Sequence, residues 1–416
     1  MYSGKQFLIT QPMIYGYNGS TMVTVELARY LTDEGADVTI YTYAYDYPIK
    51  AELDNIDSFK VVVASDDESL SLNDFDYIWI HSQVLPVSIV DEMTHELPRH
   101  MPKFIFLHMS PFDWIPDERP YIYEMEEKLS SKTLVISEEV EAVIEKYLHS
   151  TMEGIDYGYF RNPAPMNFVN SRYKPSSQLK NILVVSNHPP GELNDAINLM
   201  KEMGLNVALF GEMGDEYKSI TPEILSQYDV VITIGKTVQY CLVMGVPVYI
   251  YDKFGGCGYL NGRNLRRAEK LNFSGRGFEK KDSNSIVNDI LNGYRSAIDY
   301  QAKNLGKFRK EFAINDVVSN IIKNISERPI DKWEVSYAEA VKDCQRAARR
   351  DFNNGLMLYK ANREIVKLNE RLAQIKLTRD KYKASSEALW NSSAYRVGRV
   401  LVKPMSIVKK LFRLSK

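Results

Sequence analysis

Asp229-Val230-Val231-Ile232-Thr233-Ile234 and Pro247-Val248-Tyr249-Ile250-Tyr251 flank the segment Gly235-Lys236-Thr237-Val238-Gln239-Tyr240-Cys241-Leu242-Val243-Met244-Gly245. The two flanking runs are short and apolar throughout, as strands buried on both faces must be. The segment between them is helix-like. Strand, helix and strand at this spacing make one unit of a parallel α/β sheet.

The same alternation extends outward. Asn181 to Ser186 and Asn206 to Phe210 read as further strands of this half. Nearer the N-terminus, Gln6 to Thr10, Asp37 to Tyr43, Phe59 to Ala64, Tyr77 to His81, Lys103 to His108 and Thr133 to Ser137 alternate with helix-period segments, the signature of a second doubly wound sheet. Between the halves, Gly158, Pro163 and Pro165 interrupt any regular element over Tyr157 to Asn167, and Arg172 to Leu179 is polar, so this stretch reads as a hinge. The expected fold is α/β: two Rossmann-like doubly wound domains at 1–160 and 161–328. A crossover helix is expected at 329–350, around Trp333 and Tyr337, packing back on the first half.

From Leu358 the apolar residues keep a heptad: Leu358, Ala361, Ile365, Leu368, Leu372, Ile375, then Tyr382 and Leu389, with Arg379 and Ser386 as polar breaks. At about 1.5 Å per residue this coiled-coil candidate, within 351–390, is about 5 nm long, and self-association through it is expected. Residues 391–416 carry Arg396, Arg399, Lys403, Lys409, Lys410, Arg413 and Lys416 and no acidic residue, with Val397, Val400, Leu401, Val408, Leu411 and Phe412 near helical spacing. At roughly 1 kcal/mol per cation near an anionic surface, this basic amphipathic tail is expected to bind a membrane.

Composition excludes other classes. With 44% hydrophobic residues, 416 residues can build more than one core. A net charge of -2, with both signs mixed over the first 350 residues, gives no basic surface for nucleic acid, and no nucleic-acid partner is expected. Cys241, Cys257 and Cys344 are too far apart for a Cys-x-x-Cys metal site and odd in number, which fits a reducing compartment. Met1 to Lys5 lead straight into a strand without an apolar signal core, and no run nears the ~20 apolar residues of a spanning helix. A cytoplasmic protein, peripheral on the inner face of the plasma membrane, is therefore expected.

In an open parallel sheet ligands bind beyond the carboxyl ends of the strands. After the first strand, Gly16 and Gly19 let the backbone approach a ligand and Ser20 is placed to cap the following helix. In the second half the corresponding loops are Ser186-Asn187-His188, Gly211-Glu212-Met213-Gly214 and Gly235-Lys236-Thr237, with Lys236 positioned to neutralise a diphosphate and Thr237 to bind its oxygens. The last run resembles the end of a P-loop, but position 230 is Val where that motif needs Gly, so an NTPase is rejected. On the opposite side, His81 and His108 end two strands, notable among six histidines. His108, with Asp113 as second choice, is the candidate to orient a substrate or to take a proton from a hydroxyl. Asp74-Phe75-Asp76 precedes its strand and so lies at the wrong edge for a metal site.

The run from Gly235 to Leu260 resembles the donor-binding segment of bacterial GT-B glycosyltransferases of surface-polysaccharide biosynthesis, family 4-like, in which a helix ends in Gly-x-Pro-Val and a strand and a Gly-Gly turn follow, here Gly255-Gly256. The resemblance covers roughly residues 5–330 and includes the glycine-containing first loop and the Asn162-Pro163 step. It implies a nucleoside diphosphate sugar held mostly by the second domain, with no cofactor and no obligatory metal. Many retaining members carry a ribose-binding Glu five residues before the Gly of that motif. Here the position is Tyr240, with Gln239 as a substitute, and Arg276 in Asn272-Phe273-Ser274-Gly275-Arg276-Gly277 is a further candidate for phosphate or sugar. The ending Ser392-Ser393-Ala394-Tyr395-Arg396-Val397-Gly398 is similar to that of surface-polysaccharide enzymes. Together these imply a glycosyltransferase of hexosyl or deoxyhexosyl type acting on a lipid-linked saccharide. A nucleotide-sugar epimerase and a non-catalytic GT-B-like partner that binds glycan are the alternatives.

Overall fold

The computed structural model describes residues 2–55, 58–112, 123–147 and 156–401. Residues 1–353 form one compact unit and 354–416 a second. Two sheets build the first unit. One has seven parallel strands, β1 (Gln6–Ile14), β2 (Asp37–Tyr45), β3 (Lys60–Val63), β4 (Tyr77–His81), β5 (Lys103–His108), β6 (Ser130–Val135) and β7 (Tyr157–Tyr159), in the order β3-β2-β1-β4-β5-β6-β7. The other has β8 (Asn181–Val185), β9 (Asn206–Phe210), β10 (Val230–Thr233), β11 (Val248–Asp252) and β12 (Gly255–Tyr259), in the order β12-β11-β10-β8-β9, with β12 antiparallel to β11. The strand order reverses between β1 and β4 and again between β8 and β10. Two Rossmann-like halves, each with a crevice at its switch point, are the result.

β1 runs past the expected end at Thr10 to Ile14, and two strands lie where the sequence reading had none. Tyr157–Tyr159, read as part of the hinge, extends the first sheet beside Thr133–Val135. Gly255–Tyr259, read as a turn, folds back along β11. A Cβ on Gly256 would sit 1.9 Å from the Ile250 carbonyl oxygen, so the glycine serves close packing of neighbouring backbones.

The chain returns to the first half after finishing the second. The helix Ser283–Phe312 buries Ile286, Ile290 and Tyr294 against the second sheet. The helix Ile314–Lys323 then adds Ile314, Val318 and Ile321 to the core on one face of the first sheet, which it shares with the helix Gly19–Asp33. On the other face Trp333, Ala338 and Val341 join Ile78, Ile80, Phe104 and Phe106. Polar bonds fix that return: Trp333 N donates to Met93 O at 2.8 Å, and Lys342 pairs with Asp91 at 2.5 Å. Gln345, 3% exposed, donates to Gln83 O and accepts from Leu85 N and the Tyr43 hydroxyl, filling the gap beyond β4.

The second unit continues the helix Val335–Asn391. Leu358, Ile365, Leu368, Leu372, Ile375, Tyr382 and Leu389 are 48% to 74% exposed, so their stripe is not covered within the described residues. No described helix is long and apolar enough to cross a membrane. Lys403, Lys409, Lys410, Arg413 and Lys416 of the expected tail lie outside the described residues.

His81, noted in the sequence for its strand-end position, belongs to the core beneath the switch point. Its Nδ1 meets Thr24 Oγ1 at 2.9 Å and Gln11 Oε1 at 3.0 Å, and the ring is fully buried. Burial, with a smaller repulsion from His108, lowers its pKa from 6.5 to about 3, so the ring is neutral. The unfolded chain therefore takes up a proton that the folded chain refuses, and stability falls as pH drops from 6.5 toward 3. Between pH 7 and pH 5 this group costs about 2 kcal/mol. Urea titrations of the unaltered chain and of His81→Gln should show that acid-side loss shrinking in the variant.

Candidate active site

A cleft of about 520 Å³ lies where the switch-point loops of the two halves face each other. It brings together Gly19, Ser20, Ser186, Asn187, Gly211, Lys236, Thr237 and Tyr240 from the sequence candidates. Gly16, Gln239, Gly255, Gly256, Arg276 and His108 do not line it, and Asp113 lies outside the described residues.

The first-half wall grows from the turn after β1. Asn18, rather than Ser20, caps the helix Gly19–Asp33: its Oδ1 accepts from Thr21 N at 2.9 Å, while the Ser20 hydroxyl donates to the same oxygen. The cap falls earlier because the helix starts at Gly19, three residues before the apolar periodicity begins. Beside Gly16, Tyr17 N donates to the Tyr217 hydroxyl of the second half at 3.0 Å, and the two tyrosine rings meet edge to face. Glu52 accepts from both the Tyr17 hydroxyl, at 2.6 Å, and Ser219 Oγ, at 2.9 Å. The halves are thus bonded across one lip of the cleft.

On the second half, Ser186 Oγ after β8 donates to Asp252 Oδ2 at the end of β11 at 3.0 Å, a bond that spans the end of β10. Burial pushes the Asp252 carboxyl up, and the bonds from Lys253 N and Ser186 pull it back down. Gly211 has φ +151 and packs so closely that a Cβ would lie 1.9 Å from Ser186 O. Gly235, with φ +60, turns the chain into the helix Lys236–Met244, whose first turn faces the cleft. The amide nitrogen of Gln239, once its amide is oriented to suit its neighbours, meets Gly235 O at 2.7 Å and Lys236 O at 3.0 Å. Gln239 therefore braces that turn and does not face a ligand.

Lys236 reaches the cleft wall, but its ammonium is filled. Nζ lies 2.7 Å from Glu26 Oε2 of the first half and donates to Pro163 O and, at 3.4 Å, to Asn162 O. Both side chains are 6% exposed. Burial pushes the lysine down and the carboxyl up, and each partner opposes the other's shift. The expected free cation for a diphosphate is instead an ion pair between the halves. Tyr240, in the position where the family resemblance places a carboxylate, stacks on Phe168 at 4.3 Å and donates a hydrogen bond from its hydroxyl to Glu26 Oε1.

His108 ends β5 and is 6% exposed. Its Nε2 lies 2.9 and 3.1 Å from the two oxygens of Glu126, itself fully buried and bonded by Thr133 Oγ1 at 2.6 Å. A carboxylate accepts, so the hydrogen of this contact sits on Nε2 of His108. Met109 and Ser110, the next two residues, line the cleft. Arg276 is held elsewhere: it grips Glu139 with Nε at 2.8 Å and a terminal nitrogen at 2.5 Å, over the rings of Phe112 and Phe254. It links the halves as a structural arginine–carboxylate pair, the other reading that its sequence allows, and does not line the cleft.

Glu26 and Glu126 were not visible in the sequence as site residues, since each sits on a helix with no motif around it. Asp252 could have been found by the rule that named Ser186, because it too ends a parallel strand. The ion pair makes a defined prediction. Lys236→Met should lower stability by about 3–5 kcal/mol, because it strands the Glu26 carboxylate in a buried site. Adding Glu26→Gln to Lys236→Met should recover part of that loss, with the coupling read from denaturant titrations of the four proteins.

No protein-family model matches the sequence, and no curated protein matches it. Solved structures do. An α-glucosyltransferase in complex with UDP-glucose and DNA containing an abasic site aligns with a TM-score of 0.52 at 11% identity, over 79% of this chain and all of that one. An α-glucosyltransferase in complex with UDP and a 13-mer DNA containing a HMU base gives 0.51 at 12%, with the same coverage. A glycosyltransferase from Rickettsia africae ESF-5 gives 0.48 at 13% identity, covering 77% of this chain and 98% of that one. At these identities the likeness is one of fold, and the fold of this chain is the two-domain GT-B architecture.

Proposed function

We propose that the chain is a glycosyltransferase that moves a hexosyl or deoxyhexosyl group from a nucleoside diphosphate sugar to a saccharide acceptor. The observation that carries this reading is the cleft, which gathers the carboxyl-end loops of both Rossmann halves around one space of sugar-nucleotide size. In the second half the loops at Ser186, Gly211 and Thr237 hold the donor. Backbone N–H groups at the start of the helix Lys236–Met244 face developing charge on the leaving diphosphate. His108, held by Glu126 and next in sequence to the cleft-lining Met109 and Ser110, is the proposed group to orient the sugar or take the proton of the acceptor hydroxyl. UDP and UDP-glucose bound to the α-glucosyltransferases of the same fold support this donor class.

The rest of the reading follows the resemblance to family 4-like enzymes of bacterial surface-polysaccharide assembly. The acceptor is a lipid-linked glycan, and no obligatory metal takes part. The enzyme works on the cytoplasmic face of the plasma membrane, held to anionic lipid through residues 391–416. Exposed Arg396 and Arg399 with exposed Val397, Val400 and Leu401 support that attachment. The uncovered apolar stripe from Leu358 to Leu389 supports pairing with a second copy.

Two measurements test this. Incubated with UDP-, GDP-, dTDP- and CDP-sugars, the protein should release nucleoside diphosphate from one family of donors, and His108→Gln, whose amide can still donate to Glu126, should lower that turnover by about 10²-fold or more. Release of an epimerised nucleotide sugar, or binding of glycan without any nucleotide, would replace the transferase reading with one of its alternatives. In sedimentation with phosphatidylglycerol vesicles, removal of residues 391–416 should abolish binding while donor turnover persists.

A further inference from the structure

A sugar nucleotide brings at least two negative charges into the cleft, and a cation that meets them adds charge-assisted bonds to those of the backbone N–H groups. Among the described residues, His188, Lys218, Lys236 and Lys253 are the basic side chains that line it. Lys236 has no hydrogen to spare: Glu26, Pro163 O and Asn162 O surround its ammonium. Lys218 is paired with Glu216. Lys253 is different. It is exposed at the cleft edge, forms no ion pair among the described residues, and rests its ammonium 5.0 Å from the centre of the Phe254 ring.

The place of Lys253 is built. It follows β11, His188 follows β8, and the turn Gly235–Thr237 follows β10 between them. The Ser186–Asp252 bond ties the outer two loops together across the middle one, and Asp252 Oδ1 accepts from Lys253 N at 2.7 Å, which fixes the backbone from which the lysine extends. His188 N donates to Ser186 Oγ at 3.3 Å, so the histidine loop hangs on the same bond.

We propose that Lys253, seconded by His188, is the cation that meets the diphosphate of the donor, and that Lys236 is not. The assignment rests on the sugar-nucleotide reading above and names the residue that reads the phosphates. Lys236 holds the halves in register, and the long, uncommitted side chain of Lys253 closes over the anion from the far side of the β10 turn.

The test is calorimetric titration of the full chain with UDP, GDP, dTDP and CDP and with the four matching nucleosides. In the unaltered protein one diphosphate should bind more tightly than its nucleoside. Lys253→Ala should weaken that diphosphate about tenfold or more, leave the nucleoside unchanged, and leave the Tm of the ligand-free protein where it was. Lys236→Met should lower the Tm yet keep the preference for diphosphate over nucleoside. A preference that survives Lys253→Ala overturns the assignment while leaving the donor reading intact, and this arm decides even if Lys236→Met does not fold. A preference lost in folded Lys236→Met but kept in Lys253→Ala overturns it as well. If the unaltered chain binds none of the eight compounds, the donor reading itself falls, and the assignment with it.

Discussion

The ammonium of Lys236 and the carboxylate of Glu26, buried together at 2.7 Å, join three parts of the chain at one point: the first helix of the first half, the hinge carbonyls of Asn162 and Pro163, and the helix Lys236–Met244 of the second half. Removing two such charges from water costs about as much as their attraction returns. Their effect is therefore on arrangement more than on net stability. A docking that separated the two while keeping them from water would leave each charge without its partner, and the carboxylate would also lose the Tyr240 hydroxyl.

Around that pair the polarity is consistent. Carboxylates of the first half, Glu26, Glu138 and Glu139, meet cations of the second, Lys236, Lys270, Arg266 and Arg276. Exposed members such as Arg266 contribute little singly, since solvent screens them. Arg276, bidentate and flanked by two aromatic rings, is better placed to matter. Tyr17, Tyr217 and Ser219 of the cleft wall take part in this docking, whereas Ser186, Gly211 and Thr237 form no hydrogen bond to the first half among the described residues, which keeps their backbone groups available to a ligand.

Much of the fold was legible because strands buried on both faces must be apolar throughout, and Tyr77–His81, Lys103–His108 and Asn206–Phe210 match their observed bounds. What escaped was glycine with two meanings. Gly255 and Gly256 signal a turn by composition, yet here they permit close packing along β11, and only the neighbouring Ile250 carbonyl distinguishes the two. The site was legible to the extent that a parallel sheet dictates it: Ser186, Gly211 and Thr237 follow strands and face the cleft. Side-chain partners were not. Whether Lys236 meets a ligand or a carboxylate depends on Glu26, 210 positions earlier in the chain, and no local pattern carries that information. Gln239 and Arg276 failed as ligand-facing candidates for the same reason, each being claimed by neighbours that the sequence does not place beside them.

The return of the chain to its first half bears on how the protein is made. The core of the second half draws on a continuous stretch, from Ala164 and Phe168 to Phe308 and Phe312. The first half is different: Ile314, Val318 and Ile321 on one face of its sheet, and Trp333, Ala338 and Val341 on the other, emerge from the ribosome long after its strands do. A domain folds as a unit once its core is complete. The half that is translated first is therefore the one that finishes last, and until the final quarter of the chain appears its seven strands wait with both faces incompletely covered.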